Sequence, residues 1–507
     1  MRFGARLRAL VPALALGAAA LGAAALGGCR ADTSLTNPNT QTVESFWKTE
    51  ADAAQGITAT YNSLNFIGTY LRWFPFYYDV RSDLGYSLSP AIELANQSKF
   101  VFTNYNYEIP RSAWFDSYTS VSRANQVIAY VPNIAMDATR RDRYVGEAKF
   151  IRALDYFRLI TLYGPDIPLV TQPSQAQDRP GPAGEPALWA QMEKDLTEAA
   201  ATLPKVPFRE NGGHAVAASA QSVLGRVYLQ ERKWQQAADA LAPVVNGQTG
   251  TYSLAPDYAA LFTPAGNNSS EAIFENQFGD PTTVASGIYG LNSGRFLGPC
   301  GPAFCDSYPT RWYFNEFLRD STTDGKVDPR AEATIFWYHG PDTPVHGLTW
   351  TQRGYADTTR LFWRKWTEYY PAGSTDISWD APINVKIVRL ADVYLMYAEA
   401  LNETGKTAEA AQYVNQVRAR VRLRPVAAAD QAAMREAILR ERALELGLEG
   451  SRWNDLLRQN RLTTAYLPTL IEHDDEFKSF VTGKSERFPI PTDEINLNPN
   501  LKQNPGW

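Results

Sequence analysis

The chain has 507 residues, with 49 Lys and Arg against 54 Asp and Glu and a formal net charge of −5. This mildly acidic balance, with no long run of Lys or Arg, leaves no electrostatic footprint for nucleic acid and excludes that class of partner. Aromatic residues are dense, at 13 Trp, 26 Tyr and 23 Phe. Most belong to a core, and the surplus in Gly- and Pro-rich stretches suits a binding surface, where flat rings cover apolar faces.

At the N-terminus Arg2, Arg6 and Arg8 precede an apolar stretch from Leu10 to Leu26 that closes on Gly27-Gly28-Cys29. A stretch this short, between basic and small residues, reads as a cleaved signal rather than a membrane span. The residues before Cys29 resemble the lipobox of bacterial lipoproteins. That resemblance implies a signal peptide over 1–28, acyl chains on Cys29, and a lipid-anchored tether over 29–42. Each buried acyl methylene contributes about 0.8 kcal/mol, and two chains suffice for stable anchoring. No later segment is apolar long enough to cross a bilayer.

Helical periodicity then predicts a helix over Ser45 to Leu64. From Phe66 to Tyr107 the pattern lapses into aromatics, Gly, Pro and Ser, and a long irregular insertion is expected over about 66–111. Apolar spacing returns from Trp114 to Ile128 and from Asp142 to Tyr163, where Gly164-Pro165 stops it. Further helices are predicted over Trp189–Leu203, His214–Gln230, Trp234–Val245, Lys386–Glu403, Thr407–Arg420, Gln431–Glu445 and Arg452–Arg461. Leu224-Gly225-x-x-Tyr228 with Ala237, and Gly405 with Ala410, fit the tetratricopeptide template, in which small residues let paired helices approach closely. The expected fold class is therefore mainly α. Tetratricopeptide-like hairpins form a superhelical frame over about 43–65, 112–246 and 385–461, within one domain over 43–507. A second irregular insertion is expected over about 247–384, holding a short strand at Ala272 to Phe278, and an extended Pro/Asn-rich tail over about 485–507 wraps the frame.

Tests for chemistry are mostly negative. Gly405-Lys406-Thr407 mimics the end of a P-loop, but Ala400 stands where its first glycine belongs. No Gly-x-Ser-x-Gly or His-Glu-x-x-His run occurs. Asp320-x-Thr322-x-Asp324-Gly325-x-x-Asp328 has the front half of a calcium loop, yet Ala331 occupies the position that needs a bidentate Glu, so it reads as a turn. No metal or cofactor is expected. Outside the cytoplasm, Cys300 and Cys305 form a candidate disulfide around Gly301-Pro302-Ala303-Phe304; two free thiols are the alternative.

Several segments together resemble the SusD/RagB family of surface glycan-binding lipoproteins. They are Glu147 to Ala153 running on to Leu162 to Leu169, Arg389 to Ala400, Arg440 to Leu446 with Glu449 to Leu456, and Pro489-Ile490-Pro491 with Gln503-Asn504-Pro505-Gly506-Trp507. The resemblance implies a non-catalytic nutrient-binding lipoprotein of the outer membrane, facing the cell surface, that captures an oligosaccharide and passes it to a SusC-like TonB-dependent transporter. Arg30-Ala31-Asp32-Thr33 departs from the acidic run that surface-exposed members often carry after the lipidated cysteine. In such a protein Glu441, Arg442, Glu445 and Arg452 belong to the frame as ion pairs and caps, with Glu436 and Arg440 a helix pair at i,i+4. Ligand-binding candidates come from the insertions: Tyr86, Tyr105 and Tyr107 with Asp83 and Asn104 in the first, and Tyr308, Trp312 and Tyr313 in the second. Trp73, Trp363 and Trp366 stand in reserve. The alternatives are a peptide-capturing member of the same family, a surface glycosidase, and a scaffold without a small ligand.

Overall fold

The computed structural model describes residues 43–279, 290–368, 374–427 and 430–507. Cys29 and the whole of the predicted signal and tether lie outside these residues. The chain divides into a short unit ending at Lys48, with a single helical turn at Val43–Phe46, and a compact unit over Thr49–Trp507 that carries the other described elements.

Within the compact unit, helix α1 spans Glu50–Asn62 and opens on a capping box, in which the Thr49 hydroxyl accepts from the Asp52 N–H while Asp52 accepts from the Thr49 N–H. α2 spans Glu108–Tyr130 and α3 spans Ala138–Tyr163. The Asp137 side chain caps α3 by accepting from the Arg140 N–H, and Gly164, at φ 80°, ends it. α4 (Glu185–Thr202), α5 (Ala217–Gln230) and α6 (Trp234–Val245) follow, then α7 (Leu390–Glu403), α8 (Thr407–Arg420), α9 (Gln431–Leu446) and α10 (Arg452–Arg458). Neighbours in sequence from α2 to α6 pack side by side, α6 packs on α7, and α7 packs on α8 and α9. This is the stacking of a helical-repeat frame, and the expected fold class is found. Gly225 shows why small residues recur. A Cβ built there would lie 2.5 Å from the Leu241 side chain, so α5 and α6 touch only because the position is glycine. Gly405, at φ 82°, makes the α7–α8 turn with Ala410 buried behind it.

Most predicted helices match within a few residues. One is corrected in kind. Lys386–Arg389, expected to open the helix that runs to Glu403, belongs instead to the strand Val385–Arg389, antiparallel to Ala272–Asn276. Its residues are buried on both faces, and the β-branched Val385, Ile387 and Val388 suit that setting. The remaining strands are two-residue pairs. In chain order, β1 is Gly85–Tyr86, β2 Ala272–Asn276, β3 Tyr308–Pro309, β4 Ile335–Phe336, β5 Pro344–Val345, β6 Leu348–Thr349, β7 Phe362–Trp363 and β8 Val385–Arg389. They pair as β1–β3, β2–β8, β4–β7 and β5–β6.

The first expected insertion also differs from its reading. Trp73, Phe74, Phe76, Tyr77 and Leu84 are buried in the main core, and Ile67–Leu71 and Phe76–Val80 form short helical turns. Residues 71–85 lack a helical period because they are mostly core rather than a surface loop, Leu88, Ile92 and Val101 beyond them are exposed, and α2 already starts at Glu108, inside the stretch. The tail, expected to be extended, holds a short helix at Thr492–Leu497 and is bonded to the end of α3. The Phe488 N–H donates to the Leu162 carbonyl at 2.7 Å, and Asn504 Nδ2 donates to the Tyr163 carbonyl at 2.8 Å, just where α3 ends.

The frame's charged motif residues are buried ion pairs. Arg330 reaches Asp328, Glu441 and Glu445 at 2.6–2.9 Å, and Arg389 reaches Glu271, Glu445 and Glu449 at 2.6–2.7 Å. Burial alone would raise the Glu445 carboxyl, but Arg420, Arg389 and Arg330 outweigh it and hold it well below the usual carboxylate range. The expected Glu436–Arg440 pair is not the one formed. Arg440 turns to Glu316 and Asp320, and Glu436 pairs with Arg461. The half-formed calcium loop is similarly committed, since Arg418 and Arg440 take the Asp320 carboxylate.

Candidate functional site

Three rings form an aromatic platform beside the core. Phe296 comes from the short helix Ser293–Leu297, Phe304 from the loop between Cys300 and Cys305, and Trp379 from the segment before β8. Their centroids lie 5.5–5.8 Å apart at steep angles. Phe304 is 45% exposed and Trp379 44%, large apolar groups left open to solvent side by side.

Local structure fixes these rings. Cys300 and Cys305 are disulfide-bonded, with Cα atoms 4.7 Å apart. The Phe304 N–H donates to the Arg295 carbonyl and the Asp306 N–H to the Phe296 carbonyl, both at 2.9 Å, which lays the disulfide loop along the short helix. Arg295 Nη1 donates to the carbonyls of Pro302 and Ile377, tying in the segment that carries Trp379. The same guanidinium sits 5.1 Å from the Phe304 centroid and 5.7 Å from that of Trp379.

Polar groups flank the rings. The Arg72 guanidinium lies 5.0 Å from the Phe296 centroid, and it donates to Asn292 Oδ1 at 3.1 Å and to Glu108 Oε1 at 3.2 Å. Trp73, buried beneath, donates its Nε1–H to the same Glu108 oxygen at 3.0 Å. A cavity of about 530 Å³ opens here, walled by Phe66, Arg72, Asp116, Asn292, Trp379 and Asp380 among others. Burial raises the Asp116 carboxyl, partly offset by the Gly68 N–H that it accepts. An apolar wall with Trp379 at its edge, flanked by a guanidinium, amides and carboxylates, suits a molecule with an apolar face and a hydroxylated edge. No cluster of three or more His, Cys, Asp or Glu able to hold a metal ion occurs among the described residues.

The sequence-predicted residues do not share one surface. Asp83 is buried, held by Arg452 in a two-pronged pair at 2.7 Å and by His473 Nδ1 at 2.9 Å. Burial would raise its carboxyl, but Arg452 and His473 hold it well below the usual range. Tyr313 is buried and donates to the Ala443 carbonyl. These two carry structure and offer a ligand nothing. Trp312, half-buried, stacks on His473 with centroids 3.8 Å apart. Tyr86 and Tyr308 are cross-strand partners on β1 and β3 and stack at 5.6 Å. Tyr105 packs edge-on against Trp507 in the tail, and Asn104 caps its own turn, accepting from the Asn106 N–H. Tyr107 is half-buried directly before Glu108; burial and then the Glu108 charge push its hydroxyl up to about 12. Trp363 and Trp366 are buried. Of the named aromatics, Trp73 adjoins the platform, edge-on to Phe296 at 4.8 Å. Phe296, Phe304 and Trp379 were missed, although Phe304 stands between the two cysteines singled out, and an exposed ring in a disulfide-closed loop is the signal that would have found it.

Two family models match in chain order. One, described as "Starch-binding associating with outer membrane", matches residues 86–229, and the other, the SusD family, matches 270–507. SusD-like protein P25 of Formosa agariphila is 27% identical and covers 90% of this chain and 92% of its own. The starch-binding protein SusD of Bacteroides thetaiotaomicron is 30% identical over 28% of this chain and 25% of its own. A solved structure described as a laminarin-binding SusD-like protein is 28% identical, superposes with a TM-score of 0.73, and covers 91% of this chain and all of its own. The matched models take in the frame, the charged motifs and the tail, and on these grounds the chain belongs to the SusD/RagB family.

Proposed function

We propose that the chain captures an oligosaccharide on the Phe296–Phe304–Trp379 platform, without covalent chemistry, and hands it to a TonB-dependent transporter while anchored to the outer membrane through an acylated Cys29. The observation that carries the reading is half-exposed Trp379, which walls the cavity with Arg72, Asn292 and Asp380 and packs against half-exposed Phe304. Pyranose rings have an apolar face that stacks on such side chains and a hydroxyl edge that needs donors and acceptors together. The names of the relatives, starch-binding and laminarin-binding, support the ligand class. The outer-membrane phrase in the matched family description supports the location, and among the described residues no helix is long and apolar enough to cross a membrane.

The test is calorimetric titration of the lipid-free chain with laminarin, starch and a set of peptides, with product analysis of the same mixtures. Saturable binding of a polysaccharide, abolished or strongly weakened in Trp379→Ala and without cleavage products, is expected. Binding of peptides alone, release of shorter sugars, or unchanged affinity in Trp379→Ala overturns the reading.

A further inference from the structure

Beside the platform lies a second cavity of about 460 Å³, and Asn65 and Phe66 wall both. Its other walls include Tyr61, Asn62, His214 and Asn276. We propose that the ligand groove continues over Phe66 into this cavity, which is a second sugar subsite for a further residue of the same uncharged oligosaccharide. The proposal rests on the capture reading above.

The walls are chemically suited to hydroxyls, each of which both donates and accepts. Asn65 Oδ1 accepts from Asn276 Nδ2 at 2.8 Å, while the Asn65 amide N–H groups have no partner among the described residues. The Asn62 side-chain amide, at an exposed position, likewise makes no bond among the described residues. His214 supplies the acceptor. Its Nδ1 lies 3.0 Å from Oε2 of the buried Glu147, which Arg143 holds in turn at 2.8 Å. With Nδ1 turned to Glu147, Nε2 is the ring nitrogen left to face a ligand, and it accepts in the neutral Nδ1–H tautomer. The Tyr61 ring stands edge-on to His214 at 4.9 Å, and the Tyr61 hydroxyl is spent on the Ala215 N–H. Tyr61 and Phe66 therefore contribute apolar surface and the amides and imidazole contribute polarity, the composition of a preformed ligand pocket. None of the described residues lining the cavity is Lys or Arg, so an anionic sugar would meet no compensating charge.

The experiment compares short and long probes on the full folded chain: disaccharides and heptasaccharides from laminarin and from starch, titrated calorimetrically. The long probe is expected to bind at least about tenfold tighter than the short one. His214→Ala and Asn62→Ala, whose residues wall only the second cavity, should each weaken the long probe by about fivefold, as for one lost hydrogen bond, and leave the short probe unchanged. Trp379→Ala should weaken both lengths. Equal affinity for the two lengths, or a loss in the His214 and Asn62 variants that falls on both lengths alike, overturns the second subsite and leaves the platform reading standing. Failure of both lengths to bind overturns the platform reading and the subsite together. Asn62, exposed and unbonded, keeps the test valid should the His214 variant fold poorly.

Discussion

Phe304 and Trp379 meet at 5.5 Å and 67°, with nearly half of each ring still in water. They stand 75 residues apart in sequence, and Arg295 joins them by donating to a backbone carbonyl on each side. Neither ring is needed to fill the core. Trp379→Ala and Phe304→Ala should therefore lower affinity for a bound polysaccharide by about tenfold each, from about 1–2 kcal/mol of lost apolar burial, with little change in melting temperature. Paired titration and thermal unfolding of each variant check this; a large loss of stability would mean that the rings belong to the core.

The disulfide between Cys300 and Cys305 closes the loop that holds Phe304. By the chain-entropy model a loop this small contributes about 2 kcal/mol. Changing both cysteines to serine, or reducing the folded chain, should cost stability of that order and weaken glycan binding by freeing Phe304. Denaturant titration and calorimetry on the oxidised and reduced forms provide the comparison, and equal affinity in both forms would refute the coupling.

Arg452 is buried and commits its guanidinium to Asp83. Arg452→Ala leaves a buried carboxylate without its main cation and should destabilise by about 3–5 kcal/mol. The remaining folded fraction should bind glycan as the parent does, since neither residue reaches the platform. A stable variant with lost binding would return Asp83 to the ligand site.

Two buried carboxylates predict opposite pH behaviour. Burial raises Asp79 from 3.8 to about 7, against backbone donors from Gly450 and Arg452. The folded state then holds a proton that the unfolded chain releases near 3.8. The stabilisation is full below that pH and is lost as pH rises through about 7. Burial also raises Asp392, but Arg442 and Arg226 prevail and bring it down to about 2. Its contribution is present above 3.8 and is lost as pH falls through about 2. Asp79→Asn should therefore gain stability relative to the parent as pH rises from 4 to 8, read by thermal unfolding across that range. A parent–variant difference that does not vary with pH would contradict the assignment.

Helices such as Trp234–Val245 and Thr407–Arg420 were legible to the residue, because one apolar face at helical spacing and a turn glycine are local properties. Glu441 and Arg452 were legible as frame residues because their motif surroundings are helical. Val385–Arg389 was not, since a short strand buried on both faces carries no period of its own and is decided by its partner, Ala272–Asn276. Tyr313 looked like a ligand ring for the same reason: sequence counts rings without saying which face meets water.

By itself the sequence determined the repeat-like helices, the cysteine pair, the charge balance and the family motifs, each written in neighbouring residues or in spacings of a few turns. Only the tertiary structure decided which rings stay exposed. Exposure depends on what packs from far along the chain: Arg452 and His473 close over Asp83, the tail covers Tyr105, and nothing among the described residues covers Phe304 and Trp379 on the side that remains open.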